Sequence, residues 1–178
     1  VEIAMNDLTH SNRQDMSAAE HLQHFRKLVE KARVGMLTTL DRDMEMRSRP
    51  LHTIEVEENG TLWFVIGAAS PKAEEVGDHD GKVCLTYANK GDSEYVSVSG
   101  HAQLVRDTAR KQALWNKMID VWFPKGDQDP NVALLKVTPH QAEYWDGPSN
   151  TVTQFYAFAK AMATGKKDAF GENAKLGF

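Results

Sequence analysis

The run Glu94–Val105, EYVSVSGHAQLV, places the tightest constraint on how this chain folds. Apolar and polar residues alternate along it at a period of two. Side chains of a strand alternate between faces at that period, whereas a helix repeats every 3.6 residues. The segment is therefore a long strand with one buried face. Such a strand needs antiparallel neighbours and a core beneath them.

The neighbours are legible. Thr61–Gly67, TLWFVIG, is an apolar strand entered from the turn Glu57-Glu58-Asn59-Gly60. Gly35–Leu40 and Met44–Val56 flank the turn Asp41-Arg42-Asp43. In the second of these, Met44, Met46, Ile54 and Val56 fall on one face and Arg47, Arg49 and Leu51 on the other. Pro50 cannot donate to a ladder, so it marks an edge, a bulge or a backbone that faces a ligand. Val83–Tyr87 leads through the turn Asn89–Asp92 into the long strand. Val132–Val137 and Ala142–Trp145 are the last strands.

Helices are few. Ser17-Ala18-Ala19-Glu20 is a capping box. Leu22, Phe25, Leu28, Val29 and Ala32 then form one stripe, and Gly35 ends that helix. Ser70-Pro71-Lys72 opens a short helix to about His79. Asp107 caps a helix to about Trp122, with Leu114, Met118, Val121 and Trp122 on its buried side. A last helix is expected from Val152 to Ala163. The expected organisation is a loose arm at 1–16, one domain at 17–150, and a C-terminal helix and tail at 151–178 packed on it. The fold class is mainly β, a small antiparallel barrel with peripheral helices. Strand and helix do not alternate as a doubly wound sheet requires.

Composition excludes several functions. The 21 Lys plus Arg against 25 Asp plus Glu leave a net charge of −4, so no basic surface for nucleic acid or anionic membrane is expected. No apolar run suggests a membrane span. The acidic, polar start VEIAMNDLTH does not suggest a secretory signal, and the single cysteine excludes an intrachain disulfide or a Cys-cluster zinc site. The expected location is the cytoplasm.

Ser70-Pro71-Lys72 is the best chemical signal. Serine favours the N-cap, and proline suits the first helical position. Free N–H groups, the positive helix end and Lys72 together suit an anion. Arg47 and Arg49, on a nearby strand, add to a phosphate site. His21 and His24 lack a third metal ligand and are taken as solvated. Cys84, between Val83 and Leu85, is taken as buried packing, and Trp115 and Trp122 as core or interface. Trp145 ends a strand at a turn, where an indole can lie over a flat ligand. Phosphate-binding G-x-G-x-x-G and nucleophile G-x-S-x-G motifs are absent.

These segments together resemble the pyridoxamine-phosphate-oxidase-like flavin split barrels, and within them the bacterial general stress proteins. The resemblance rests on VGMLTTLD at 34–41, RSRPL at 47–51, LWFVIG and SPKAEEV within 62–76, YVSVSGHAQLV at 95–105, WFPKG at 122–126, LLKVTPHQAEYWD at 134–146 and ATGKKDAFGEN at 163–173. It implies a six-stranded antiparallel split barrel that binds FMN, with FAD as the alternative, at the interface of a homodimer. It implies flavin-phosphate contacts at Arg49, Ser70 and Lys72, with Arg47 compensating for a missing charge. Pro50 and Leu51 match the strand along the flavin ring, and Val65 and Ile66 match the end of the next strand. Tyr95 matches a contact from the second subunit, and Trp145 a tryptophan near the ring. Oxidases of the family hold their vitamin substrate with charged groups where this chain has Ile54, Thr151 and Thr153. The implied function is a flavin-dependent oxidoreductase of unknown substrate with no catalytic side chain singled out. The alternative is a non-catalytic flavin-binding or flavin-buffering stress protein. Pyridoxine phosphate oxidase activity is disfavoured.

Overall fold

The computed structural model describes residues 16–147 and 172–178. All but the last residue of the expected arm at 1–16, and the expected helix at Val152–Ala163, lie outside them. Eight strands form one antiparallel sheet. In chain order they are β1 (Val34–Leu40), β2 (Met46–His52), β3 (Glu55–Val56), β4 (Leu62–Gly67), β5 (Lys82–Asn89), β6 (Glu94–Val105), β7 (Val132–Asp146) and β8 (Glu172–Gly177). The spatial order is β2-β1-β5-β6-β7-β4-β3, with β8 beside β7. The sheet curls until β2 contacts β4. The neighbouring ends of this curled sheet leave a seam.

The inner face is apolar and closely filled. Leu37, Leu85, Val98, Phe64, Leu135 and Val137 are fully buried there. Helix α1 (Ala18–Ala32) covers one mouth with Phe25, Leu28 and Val29. Its capping box forms as read: Ser17 N donates to Glu20 Oε2 at 2.7 Å, and Glu20 N to Ser17 Oγ at 3.3 Å. Gly35 does not end α1. Arg33 does, at φ 60°, its N–H returning to Val29. Gly35 lies within β1 under Tyr87, where a Cβ would stand 2.7 Å from the ring. The Tyr87 hydroxyl bonds Thr53 Oγ1 at 2.9 Å. Burial pushes the Tyr87 phenol above its ordinary range.

Other elements differ from the sequence reading. Met44–Val56 is not one strand: Met44 occupies a turn at φ 64°, and the ladder breaks between His52 and Glu55. The two last strands are one, the 15-residue β7. Its pairing with β6 shifts register at Ser99/Gly100, which lets it bend without stopping. A Cβ on Gly100 would meet Thr138 O at 2.8 Å, so this crossing needs glycine. The Asp107 helix splits into α3 (Thr108–Leu114) and α4 (Lys117–Trp122), numbered after α2 (Pro71–Asp78). Asn116 causes the break by accepting from Met118 N and Ile119 N. Ile119 is then the buried residue of α4, while Val121 and Trp122 are about three-quarters exposed (77% and 76%). Cys84 is only partly buried, because the outer face of β5 is open. His21 and His24 are held: His21 Nδ1 meets the Tyr144 hydroxyl at 2.7 Å, and His24 Nε2 meets Asp146 Oδ2 at 3.0 Å.

Candidate functional site

A cleft of about 350 Å³ lies at the seam. Pro50, Leu51 and His52 of β2 form one wall, and Val65, Ile66 and Gly67 of β4 another. Helix α4 adds Met118, Ile119 and Trp122, and Lys72 of α2 lies at one end. The size is that of a small-molecule site, with mostly apolar walls and few polar groups.

The sequence expected five of these lining residues: Pro50, Leu51, Val65, Ile66 and Lys72. Strand geometry explains why Pro50 is accommodated. It sits on β2, the last strand on its side of the sheet, so no further ladder lacks its missing N–H.

Lys72 makes no hydrogen bond or ion pair among the described residues. Burial, and then the Arg49 charge, lower its ammonium below the usual lysine range. Ser70 takes the extended N-cap conformation, but its side chain does not cap α2. Its Oγ is buried without a partner among the described residues. A buried hydroxyl without a partner is costly, and it lies two residues before the unpaired lysine.

Arg49 is held beside this end. Nη1 donates to Glu75 Oε2 at 2.7 Å and to Thr39 Oγ1 at 2.9 Å, and Nη2 donates to Glu75 Oε1 at 2.5 Å. Thr39 Oγ1 also donates to Glu75. Arg49 and these hydrogen bonds hold the Glu75 carboxyl below the usual carboxylate range. Three of the five guanidinium donors are engaged, leaving Nε–H and one Nη2 hydrogen. Arg47 stands apart, exposed and paired with Asp41 at 2.9 Å.

Tyr95 and Trp145 are brought together, but not in this cleft. They are cross-strand partners of β6 and β7. They border a depression of about 570 Å³ on the outer sheet face, with Met36, Thr86 and Ser97. Val34 borders both this depression and the cleft.

Sequence reasoning missed His52, Trp122 and Glu75. His52 follows RSRPL directly, and burial keeps its imidazole below the ordinary histidine range. The break after Leu114 turns Trp122 towards the seam; WFPKG was the available signal. Glu75 was visible only as part of SPKAEEV. Among the described residues no His, Cys, Asp and Glu cluster could hold a metal ion. No helix among them is long and apolar enough to cross a membrane.

The family model for pyridoxamine 5'-phosphate oxidase like proteins matches residues 20–169. The chain belongs to that family. General stress protein 26 of Bacillus subtilis is 26% identical over 93 residues, 51% of this chain and 66% of that protein. A structure assigned as general stress protein 26 from Jannaschia sp. CCS1 superposes with a TM-score of 0.71 at 26% identity, covering 98% of this chain and 100% of the other. The general stress FMN/FAD binding protein of Xanthomonas citri gives 0.64 at 27% identity over 72% of this chain and 90% of its own. Among pyridoxamine 5'-phosphate oxidase like proteins this chain therefore resembles the general stress branch, and its curled antiparallel sheet is the split-barrel fold.

Proposed function

We propose that this chain is an FMN-dependent oxidoreductase that works as a homodimer in the cytoplasm. One observation carries the flavin reading. The seam cleft has apolar walls for a flat ring and, at one end, a half-buried lysine with no partner among the described residues, two residues on from a buried serine hydroxyl that also lacks one. Those groups fit a phosphate. Lys72 and Ser70 Oγ would hold it, together with the two donors of Arg49 that Glu75 leaves free. Arg47 would contribute only a distant charge, since Asp41 holds it. The β2 backbone at Pro50 and Leu51 would lie along the ring, while Val65 and Ile66 exclude water.

When bound, the flavin supplies hydride or electron transfer, and the protein contributes orientation and electrostatics. His52 lines the cleft among its apolar walls, and burial, then the Arg33 charge, lower its imidazole below the ordinary histidine range. Ile54 lines the same cleft and offers no charge to a vitamin phosphate, which supports the reading against oxidation of pyridoxine phosphate.

The outer face supports the dimer. Val34, Met36, Met46, Tyr95 and Trp145 expose apolar surface there (48, 40, 77, 43 and 39%). Val34, Met36, Tyr95 and Trp145 border one depression; such an apolar patch calls for cover, and a second copy would bring Tyr95 and Trp145 of the partner subunit towards the seam next to Val34.

The test is the visible spectrum of the purified protein, FMN and riboflavin titrations, and anaerobic addition of NADH or NADPH. Flavin uptake with reduction supports the reading. Tight FMN binding without reduction by either donor favours a flavin-binding stress protein. No uptake overturns both. Formation of pyridoxal phosphate from pyridoxine phosphate and oxygen would restore the oxidase assignment.

A further inference from the structure

A second chamber, about 610 Å³, opens beside the cleft. The two share His52, Ile54 and Met118 as a common wall. Its cationic groups come from α1 and the Arg33 that caps it. Arg33 lines it, fixed at the backbone because Thr53 N donates to Arg33 O at 2.8 Å. The Arg33 side chain has no hydrogen bond or ion pair among the described residues. Arg26 lines it too. One terminal nitrogen donates to Val56 O at 3.3 Å, while its Nε is buried with no partner. Asn116 uses its carbonyl to cap α4, and its amide donors meet no acceptor among the described residues.

Two carboxylates share the chamber, and both are weak competitors. Glu55 is drawn to Arg110 at 3.0 Å. Glu30 reaches Arg26 only at 3.9 Å, beyond hydrogen bonding, with its side chain 54% exposed. Donors therefore outnumber acceptors. The buried Arg26 Nε–H has no acceptor among the described residues, which leaves a donor unsatisfied beside the chamber. The Arg33 charge reaches His52 in the shared wall and, after burial, helps depress its pKa.

We propose that this chamber seats an anionic group, a carboxylate or a phosphate, of the substrate whose reacting part lies in the cleft. Arg33 and Arg26 are its cationic contacts and Asn116 its neutral donor. The assignment rests on the flavin reading of the cleft. It gives the substrate a class: a small acid with a flat or apolar end. The anion is held on the side of Ile54 away from Lys72, so the flavin phosphate and the substrate anion do not compete for one lysine.

Benzoate and benzamide test this, since they share a ring and differ in charge. Binding is read on FMN-loaded protein from the flavin absorbance change. Benzoate is expected to bind at least about tenfold more tightly, as one charge-assisted contact implies. Arg33→Gln should remove that preference, Arg33→Lys should keep it, and FMN affinity should not move. Arg33 is exposed, so these variants should fold. Equal binding of the two probes, binding of neither, or a preference that survives Arg33→Gln overturns the proposal. If Arg33→Gln weakens FMN itself, the chamber serves the flavin, and the substrate assignment falls. Failure of FMN to bind defeats the flavin reading alone. The chamber is then judged on flavin-free protein by the Arg33 Nε resonance, which benzoate should shift; an unmoved resonance overturns it.

Discussion

The seam cleft and the outer-face depression are both apolar hollows touching Val34, yet they differ in their polar groups. The cleft ends in Lys72, with the buried Ser70 Oγ two residues before it, and both lack partners among the described residues. The depression is bordered by Met36, Tyr95 and Trp145, exposed but uncharged. A buried donor without an acceptor implies a small ligand that brings one. An exposed apolar face implies a partner surface that brings only shape and area.

Met36→Glu should break the outer-face half of that contrast most strongly. In a symmetric dimer it buries two like charges, at a cost of about 3–5 kcal/mol of association. Sedimentation across a dilution series should show folded monomer; an unchanged dimer would place the interface elsewhere.

Arg49→Met should act on the cleft alone. Unpairing the nearly buried Glu75 should cost about 2–3 kcal/mol of unfolding free energy, part of the full cost being lost to solvent at a partly exposed arginine. Adding Glu75→Leu should recover most of it, read from urea unfolding. The pair also gives a sign to acid unfolding. In the folded protein Glu75 titrates below the ordinary carboxylate value of 4.5. Its stabilisation is therefore complete above about pH 4.5 and lost as pH falls through the depressed value. The double variant should lack that loss.

Lys72→Ala should weaken FMN by about 1.5–3 kcal/mol, or roughly 10–150-fold, while riboflavin is nearly unaffected. Calorimetric titration of both ligands decides it. Equal losses for both would move the phosphate away from α2.

Trp122→Ala should have the smallest effect. If the indole covers the ring at the mouth of the cleft, FMN loses about 0.5–1.5 kcal/mol and its fluorescence rises. Unchanged emission would leave Trp122 as surface only.

The strands were legible where one face is buried. Glu94–Val105 has the expected bounds because Val96, Val98 and Ala102 alternate with polar residues over a single core. Readings failed where a local side chain overrode periodicity. Asn116 divided an apparently continuous helix, and the register shift at Ser99/Gly100 joined two apparent strands. The site divided in the same way. Pro50, Leu51, Val65, Ile66 and Lys72 lie near one another along β2, β4 and α2, so motif and hairpin reveal them together. Glu75 as the partner of Arg49, and Arg26 and Arg33 beside Ile54, depend on the curl of the sheet and α1 across its mouth. No local pattern encodes those meetings.

β7 joins the two hollows in one ladder. It pairs with β6 along nearly its whole length, and on its other side first with β4 and then with β8. Its amides at Leu134 and Trp145 therefore sit in one hydrogen-bonded ribbon, although one lies behind the cleft wall and the other at the outer face. Opening that ribbon to deuterium requires parting three neighbours rather than one. A ligand that tightens β4 should slow exchange at both ends of β7, making the strand a reporter through which occupancy of the seam is felt at the surface where two copies would meet.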